Sequence, residues 1–469
     1  MKDPGEIQVL SCYELGHPPL AVASAVAFLE RAGFRPAALD LALEPLDRLL
    51  ARAPDPPVRL VAISVPMHTA LHIGTRAALQ IRERMPAAHM CFYGLYATLN
   101  AEHLFHSGLA DSVAGGESEG PLVGLAEALR DGRPLAEVPG LALPERPARP
   151  HLARLDFPVP SRDGLPAPSR YARLVLDGKE QTAAAIEASR GCLHLCRHCP
   201  IPPVYGGRFF VVPIEVILGD VRGLVARGVR HLTFADPDFL NGPRHALAVA
   251  RAIHAEHPEV SFDVTTKVEH VLRHRRVFPE LAASGCLFVV SAVESLSDEV
   301  LRNLDKGHTR ADVHEAERVL REAGIALRPS LLPFTPWATL ADYVDLLDWI
   351  EEHDLVGAVD PVQLSIRLLV PPRSLLADSP AMHPFLAALD PAAFSFPWTH
   401  PDPRMDRLHA QVARIVAAAA RAGERAETTF ARIRRAAAVT AGRELPARVS
   451  SVAVPPRPIP PRLTEPWFC

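Results

Sequence analysis

The chain has 469 residues, 22% of them charged, and a formal net charge of −4 at neutral pH. That length exceeds what one hydrophobic core supports, so two or three domains are expected. The charge balance offers no basic field for nucleic acid or an acidic membrane surface, and no apolar run approaches the roughly 18 residues of a membrane span. The opening MKDPGEIQVLSCYELG lacks a basic stretch followed by a long apolar core, so a cytoplasmic location is expected, with neither membrane nor nucleic acid as partner. Seven cysteines, three of them within residues 192–199, fit a reducing compartment and a metal site better than a disulfide framework.

In chain order, residues 6–130 alternate short apolar runs with helical spacing. IQVLSCY (7–13), RLVAISV (59–65) and AHMCFYG (88–94) read as strands, and AVASAVAFLERAGF reads as a helix ending at Gly33. This alternation predicts a doubly wound parallel sheet over residues 1–130, with any ligand beyond the carboxyl ends of its strands. Residues 131–183 turn proline-rich and irregular and read as a linker.

The pattern then resumes. Candidate strands are 184–190, 230–236, 260–266, 286–294, 325–332 and 362–370, with a helix from Pro213 to Gly228 and another ended by Gly324. Six β/α units over residues 184–399 predict a partial barrel, and residues 400–469 a helical extension with a proline-rich tail. Directly after the first barrel strand comes SRGCLHLCRHC, with Cys192, Cys196 and Cys199 spaced C-x3-C-x2-C. Short-spaced thiolates on a loop are ligands for zinc or an iron–sulfur cluster. Zinc needs a fourth ligand, for which His194 or His198 is placed; a three-thiolate cubane instead leaves one iron open.

Polar residues mark the other strand ends: Asp236 and Asp238 after the second, Lys267 after the third and Glu294 at the end of the fourth. A carboxylate at a parallel strand's end needs partners and is more often functional than one on a helix face. Lys267 and Lys306 are two of only four lysines, and either flanks the cavity or simply caps a helix or pairs with a carboxylate. Arg328, Gln363 and Arg367 lie inside strand runs, facing the cavity or, for Arg367, outward.

With Glu187 ahead of it and a six-unit barrel around it, the cysteine loop resembles the signature of the radical S-adenosylmethionine (radical SAM) superfamily. The resemblance implies that Cys192, Cys196 and Cys199 hold a [4Fe-4S] cluster, that S-adenosylmethionine occupies the fourth iron, and that one electron cleaves it to methionine and a 5′-deoxyadenosyl radical. It implies an electron donor such as flavodoxin or ferredoxin, a small-molecule or peptide substrate, and SAM or substrate contacts from Asp236, Asp238, Lys267, Glu294 and Arg328, although the family's Gly-Gly-Glu form after strand two is absent.

Residues 6–130 resemble the cobalamin-binding domain that precedes one large radical SAM class, through ISVPMHT, YGLYATLNAEHLF and VAGGESEGPLVGLAEAL. This implies cobalamin contacts from Ser64, His68, Gly94, Gly115 and Gly116, the glycines either admitting a flat macrocycle or serving as ordinary turns. The D-x-H-x-x-G motif that supplies an axial histidine is missing, leaving His17 or His68 to reach cobalt.

The whole chain resembles a radical SAM group with a Cys-Cys-Ala-Glu-Pro or Cys-selenocysteine-Ala-Glu-Pro tail, of which Cys469 is the first member. The implied product continues with selenocysteine, and Cys469 is then a redox or substrate thiol. The expected function is SAM-radical chemistry with cobalamin-assisted methylation or rearrangement. One alternative is a radical SAM enzyme whose front domain docks substrate without cobalamin; the outside alternative is a non-enzymatic zinc or iron–sulfur module. A methylthiotransferase would carry three further cysteines in its front domain, where only Cys12 and Cys91 occur.

Overall fold

A computed structural model describes residues 1, 3–51, 57–147, 149–443 and 460–465. Cys469 and the expected continuation after it lie outside these residues.

The front sheet has six strands in the order β2-β1-β3-β4-β5-β6: β1 (Ile7–Ser11), β2 (Ala37–Asp40), β3 (Leu60–Ser64), β4 (His89–Tyr93), β5 (Ser112–Ala114) and β6 (Leu141–Ala142). All pair in parallel except β6, which runs antiparallel to β5. Alternate residues of one strand enter opposite cores: Leu10 and Ile63 face one apolar layer, Val9 and Ala62 the other. That two-sided burial is why these strands read as unbroken apolar runs. Helices Leu20–Arg31 and Glu119–Asp131 cover one face, and His68–Arg84 the other.

The second sheet has seven strands in the order β14-β13-β12-β11-β8-β7-β15. Its parallel set is β8 (Lys179–Ile186), β11 (His231–Phe234), β12 (Ser261–Thr266), β13 (Cys286–Glu294) and β14 (Ala326–Leu331). β7 (Arg173–Leu176) and β15 (Arg462–Leu463) complete one edge in antiparallel pairing. A separate two-stranded ribbon joins β9 (Ser189–Gly191) to β10 (Phe209–Val211).

Three sequence expectations need correction. The run 184–190 starts earlier and breaks after Ile186, and its last residues join β10 instead. Residues 173–182 do not belong to an irregular linker: they form β7 and the start of β8, turning at Asp177-Gly178, both with positive φ (49° and 73°), as a two-residue hairpin requires. The sixth strand is absent. Pro361 opens a 3-10 turn through Ser365, and only one parallel bridge, Phe334 to Arg367, survives. Gln363 lends its side-chain oxygen to Leu331 N (2.9 Å), replacing a backbone ladder partner.

Although β15 and β14 stand at opposite ends of the strand order, Arg328 Nη1 on β14 reaches Pro461 O beside β15 (3.3 Å), and Leu463 packs with Phe288 and Val290. The sheet thus curls until its edges meet. Outward residues such as Leu232, Phe262 and Val289 are fully buried under helices, whereas the inward Thr233, Thr265, Ala292 and Ser330 remain half-exposed, lining an open lumen. Helices Pro403–Ala422 and Ala426–Ala441 pack beyond β14, against helix Leu340–Glu352 and the 361–365 turn.

A candidate metal-cluster site at the barrel mouth

β8 ends at Ile186 and delivers the cysteine loop to the mouth formed by the carboxyl ends of the parallel strands. Asp236, after β11, accepts from Ala188 N (2.8 Å) and Ser189 Oγ (2.6 Å). Asn241 Oδ1 accepts from Leu193 N (3.1 Å) and lies 3.7 Å from Cys192 Sγ. Gly191 has φ +75°, and a Cβ there would stand 2.4 Å from Arg208 O, so the residue before the first cysteine can only be glycine.

Cys192 and Cys196 are buried and Cys199 is partly so. Burial pushes the Cys192 thiol up to about 11 and Cys199 up to about 12, so thiolates here need positive charge beside them. Lys306 supplies some. It is 2% exposed; burial opposes its charge, but Glu294 and the sulfurs of Cys196 and Cys199 outweigh that and raise it. Its Nζ lies 3.0 Å from Glu294 Oε1, and His198 Nε2 is 3.4 Å from the same oxygen. Glu294 is held below the usual carboxylate range because Lys306 and His198 overcome its burial. It also has φ +62°, uncommon for a non-glycine residue and a form of strain that collects at functional sites.

The donor set tests the two metal readings. A single tetrahedral zinc draws thiolates to about 3.8 Å from one another. Sets of donors within 4.8 Å of one another occur, among the described residues, at His194/Asp238/His270 and His314/Glu317/His353; the three cysteines are spread wider. A cubane binds each thiolate through a different iron and so does not require the three thiols to meet at one point. Nor do the histidines complete a zinc site: His198 turns to Glu294, and His194 Nε2 faces His270 Nε2 at 3.1 Å.

Asp238 is fully buried, accepting from Leu240 N (3.1 Å) and Thr266 Oγ1 (2.8 Å), with His270 Nδ1 2.9 Å away. Lys267 is buried and lies 3.4 Å from Glu269 Oε2. Asp238, Lys267 and Glu294 therefore gather around the cysteine loop. Asp236 does so only as the loop's anchor, with both oxygens engaged. Arg328 does not: its guanidinium is committed to Asp360 (2.8 Å), Pro461 O and the face of Phe288. Arg367 faces outward, bound to Asp406 (2.7 Å) and stacked on Trp398.

The front domain meets the same loop. Arg190 binds Glu119 (2.8 Å) and Glu187 (2.6 Å), with Glu117 at 3.6 Å, while Tyr205 Oη donates to Glu117 (3.1 Å). Burial, opposed by Arg190, raises Glu117 to about 7. Leu95 and Leu99 pack with Cys192 and Tyr205.

The residues expected at a corrin are taken by protein. A Cβ on Gly116 would stand 2.2 Å from His151 O, one on Gly115 2.1 Å from Thr98 Oγ1, and one on Gly94 3.2 Å from Val65 O. Ser64 is buried beside Tyr93, and His68 Nε2 lies 2.8 Å from Ala393 O. His17 is buried near Asp263 and His231, its imidazole lowered to about 4 chiefly by burial.

Arg190, His198, Asn241 and His270 were not singled out as such partners in the sequence. Arg190 and His198 lie within the cysteine motif itself, and Asn241 and His270 follow strands β11 and β12 by a few residues, a position that was the available signal.

Residues 186–350 match the model of the Radical SAM superfamily. Curated relatives include a hopanoid C-3 methylase of Methylococcus capsulatus (28% identical over 260 residues, 55% of this chain and 49% of the relative). Another is the anaerobic magnesium-protoporphyrin IX monomethyl ester cyclase of Synechocystis sp. (25% over 381 residues, 76% and 71%). The chain spans about half the length, or less, of the first relatives it matches. Among solved structures, the methyltransferase TsrM from Kitasatospora setae superposes with a TM-score of 0.60 at 20% identity, covering 74% of this chain and 71% of that one. The cobalamin-dependent enzyme OxsB with aqua-cobalamin superposes at 0.68 and 15%, covering 86% and 66%. The cysteine loop lies within the residues that match the Radical SAM model, and the curled sheet around it shares its fold with cobalamin-dependent radical SAM enzymes.

Proposed function

We propose that the chain is a radical SAM enzyme that holds a [4Fe-4S] cluster through Cys192, Cys196 and Cys199 and methylates or rearranges a small molecule or peptide. The observation that carries this is the set of three buried-to-half-buried thiols on the loop that follows the first parallel strand, beside a buried lysine. One-electron reduction of S-adenosylmethionine is the chemistry such a cluster supplies. The protein's part is positional and electrostatic. Asp236 and Asn241 fix the loop, Lys306 offsets thiolate charge, and Glu294 and His198 hold that lysine in place. Asp238, Lys267 and Glu294 are the proposed polar contacts for SAM, and the lumen beside Thr233, Thr265, Ala292 and Ser330 is the proposed room for substrate.

The likeness to a hopanoid methylase and to a methyltransferase supports methyl transfer as the outcome, and the fold shared with cobalamin-bound neighbours supports cobalamin as a second cofactor. Since the front-domain residues expected at the corrin are engaged elsewhere, no step is assigned to it. A reductant of the flavodoxin or ferredoxin class is proposed, with Leu193 and Leu195, 47% and 51% exposed on the cysteine loop, as its approach. No helix among the described residues is long and apolar enough to cross a membrane.

The test is anaerobic reconstitution with iron and sulfide, then incubation with SAM and a strong reductant, with and without cobalamin. 5′-Deoxyadenosine that disappears in Cys196→Ala is the expected result, with S-adenosylhomocysteine appearing only when cobalamin is present. Absence of SAM cleavage in a cluster-loaded protein overturns the proposal.

A further inference from the structure

On the helical layer outside the barrel, remote in sequence from the cysteine loop, a second set of donors converges. Helix Arg310–Glu322, started by a Thr309/Asp312 capping box, carries His314 and Glu317 three residues apart and so on one face. His353 directly follows helix Leu340–Glu352 and brings its ring to theirs, 5.1 Å from His314 between centroids. One donor atom from each of His314, Glu317 and His353 lies within 4.8 Å of the other two.

Glu317 is what makes this more than a surface cluster. It is 6% exposed, on a helix face that is otherwise apolar: Val313, Ala316 and Leu320 are buried in the barrel core. Arg321 reaches only its Oε1 (3.3 Å). Oε2 is buried without a hydrogen-bond partner, and His353 Nδ1, 2.5 Å away, stands off the line of a hydrogen bond. An acceptor left so in a protein interior is costly unless something absent from the polypeptide satisfies it.

We propose that His314, Glu317 and His353 bind one divalent transition-metal ion, zinc being the best match, on the outside of the barrel. Two imidazoles and a carboxylate make a three-ligand zinc set with a fourth position for water. Small side-chain rotations bring donors already within 4.8 Å to the mutual spacing of about 3.3 Å that tetrahedral zinc requires. The ion would tie the helix before β14 to the helix after it. The His194/Asp238/His270 set is the weaker candidate, because Asp238 already accepts from Thr266 and Leu240.

The experiment is calorimetric titration of zinc into the cluster-loaded full-length protein, so that the cysteines are occupied and do not compete. One zinc per chain is expected, weakened about 10-fold or more in His314→Gln and in His353→Gln. Zinc should also raise the melting temperature of the unaltered protein by a few degrees and leave both variants unmoved. The zinc-dependent difference is read within each protein, so a fold weakened by substitution does not imitate the result. Zinc binding that is absent, that survives both substitutions, or that is lost instead in His270→Gln overturns the proposal.

Discussion

The molecule contains two parallel sheets whose strand ends meet across the cysteine loop, and they treat those ends in opposite ways. In the front sheet the residues at those ends pack against protein: His151 lies beside Gly116, Thr98 beside Gly115, and His68 meets Ala393 O. In the barrel the ends converge buried charges, with Glu294 in a strained conformation, Lys306 against it, and Asp238 beside His194 and His270. Buried ionisable groups occur at both sets of ends, Asp40 and Glu117 on the front side among them, and the barrel sets its own, Lys306 and Glu294, beside the thiols of the cysteine loop.

The sharpest way to break this contrast is to remove a cluster ligand. Cys192→Ala or Cys196→Ala should abolish bound iron and lower 5′-deoxyadenosine formation at least about 100-fold, since one thiolate anchors each of three irons; iron assay and nucleoside chromatography check it. Next in size is Lys306→Met, which leaves Glu294 buried without its strongest partner. A loss of about 3–5 kcal/mol in urea unfolding is expected at neutral pH. The sign of its pH dependence follows from Glu294 being depressed. The pair's contribution is present above the ordinary carboxylate range and disappears as pH falls through the folded value, so wild type and variant should converge in acid.

On the front side, Gly116→Ala places a methyl against the His151 carbonyl at φ +73°, and a loss of roughly 2 kcal/mol is expected with the cluster still assembling. The smallest effect belongs to the junction between the sheets. Glu117 is raised from 4.5 to about 7, so the folded protein holds a proton that the unfolded chain releases, and its contribution to stability falls as pH rises across that window. Glu117→Gln should therefore gain on wild type by at most about 2 kcal/mol between pH 5 and 8 in paired urea melts. A variant that stays parallel to wild type across this range would place the titration elsewhere in the Arg190 cluster.

Much of this was legible in the sequence because period and punctuation agree. The runs at β11, β12, β13 and β14 fell within a residue or two of their observed ends, and Gly324 ends its helix with φ +75°, as its position suggested. The cysteine motif was legible because its spacing is a ligand pattern independent of tertiary context. The failures share a cause, the dependence of one residue's role on a distant segment. VQLSIRLLV has strand composition, yet Pro361 and the side chain of Gln363 replace its ladder. Gly115 and Gly116 read equally as a cofactor cradle or a turn until residue 151 is placed over them. Arg328 reads as a cavity residue until Pro461 and Asp360 arrive from elsewhere in the chain.

The pairing of β15 with β7 has a consequence for biosynthesis. During synthesis the chain emerges amino end first, so the cysteine loop and all five parallel strands are outside the ribosome long before residues 462 and 463 are. Until then Arg328 lacks its carbonyl partner and β7 its outer neighbour. The arc of five strands, with the cysteine loop at its mouth, is thus laid down some way ahead of the strand that completes its edge.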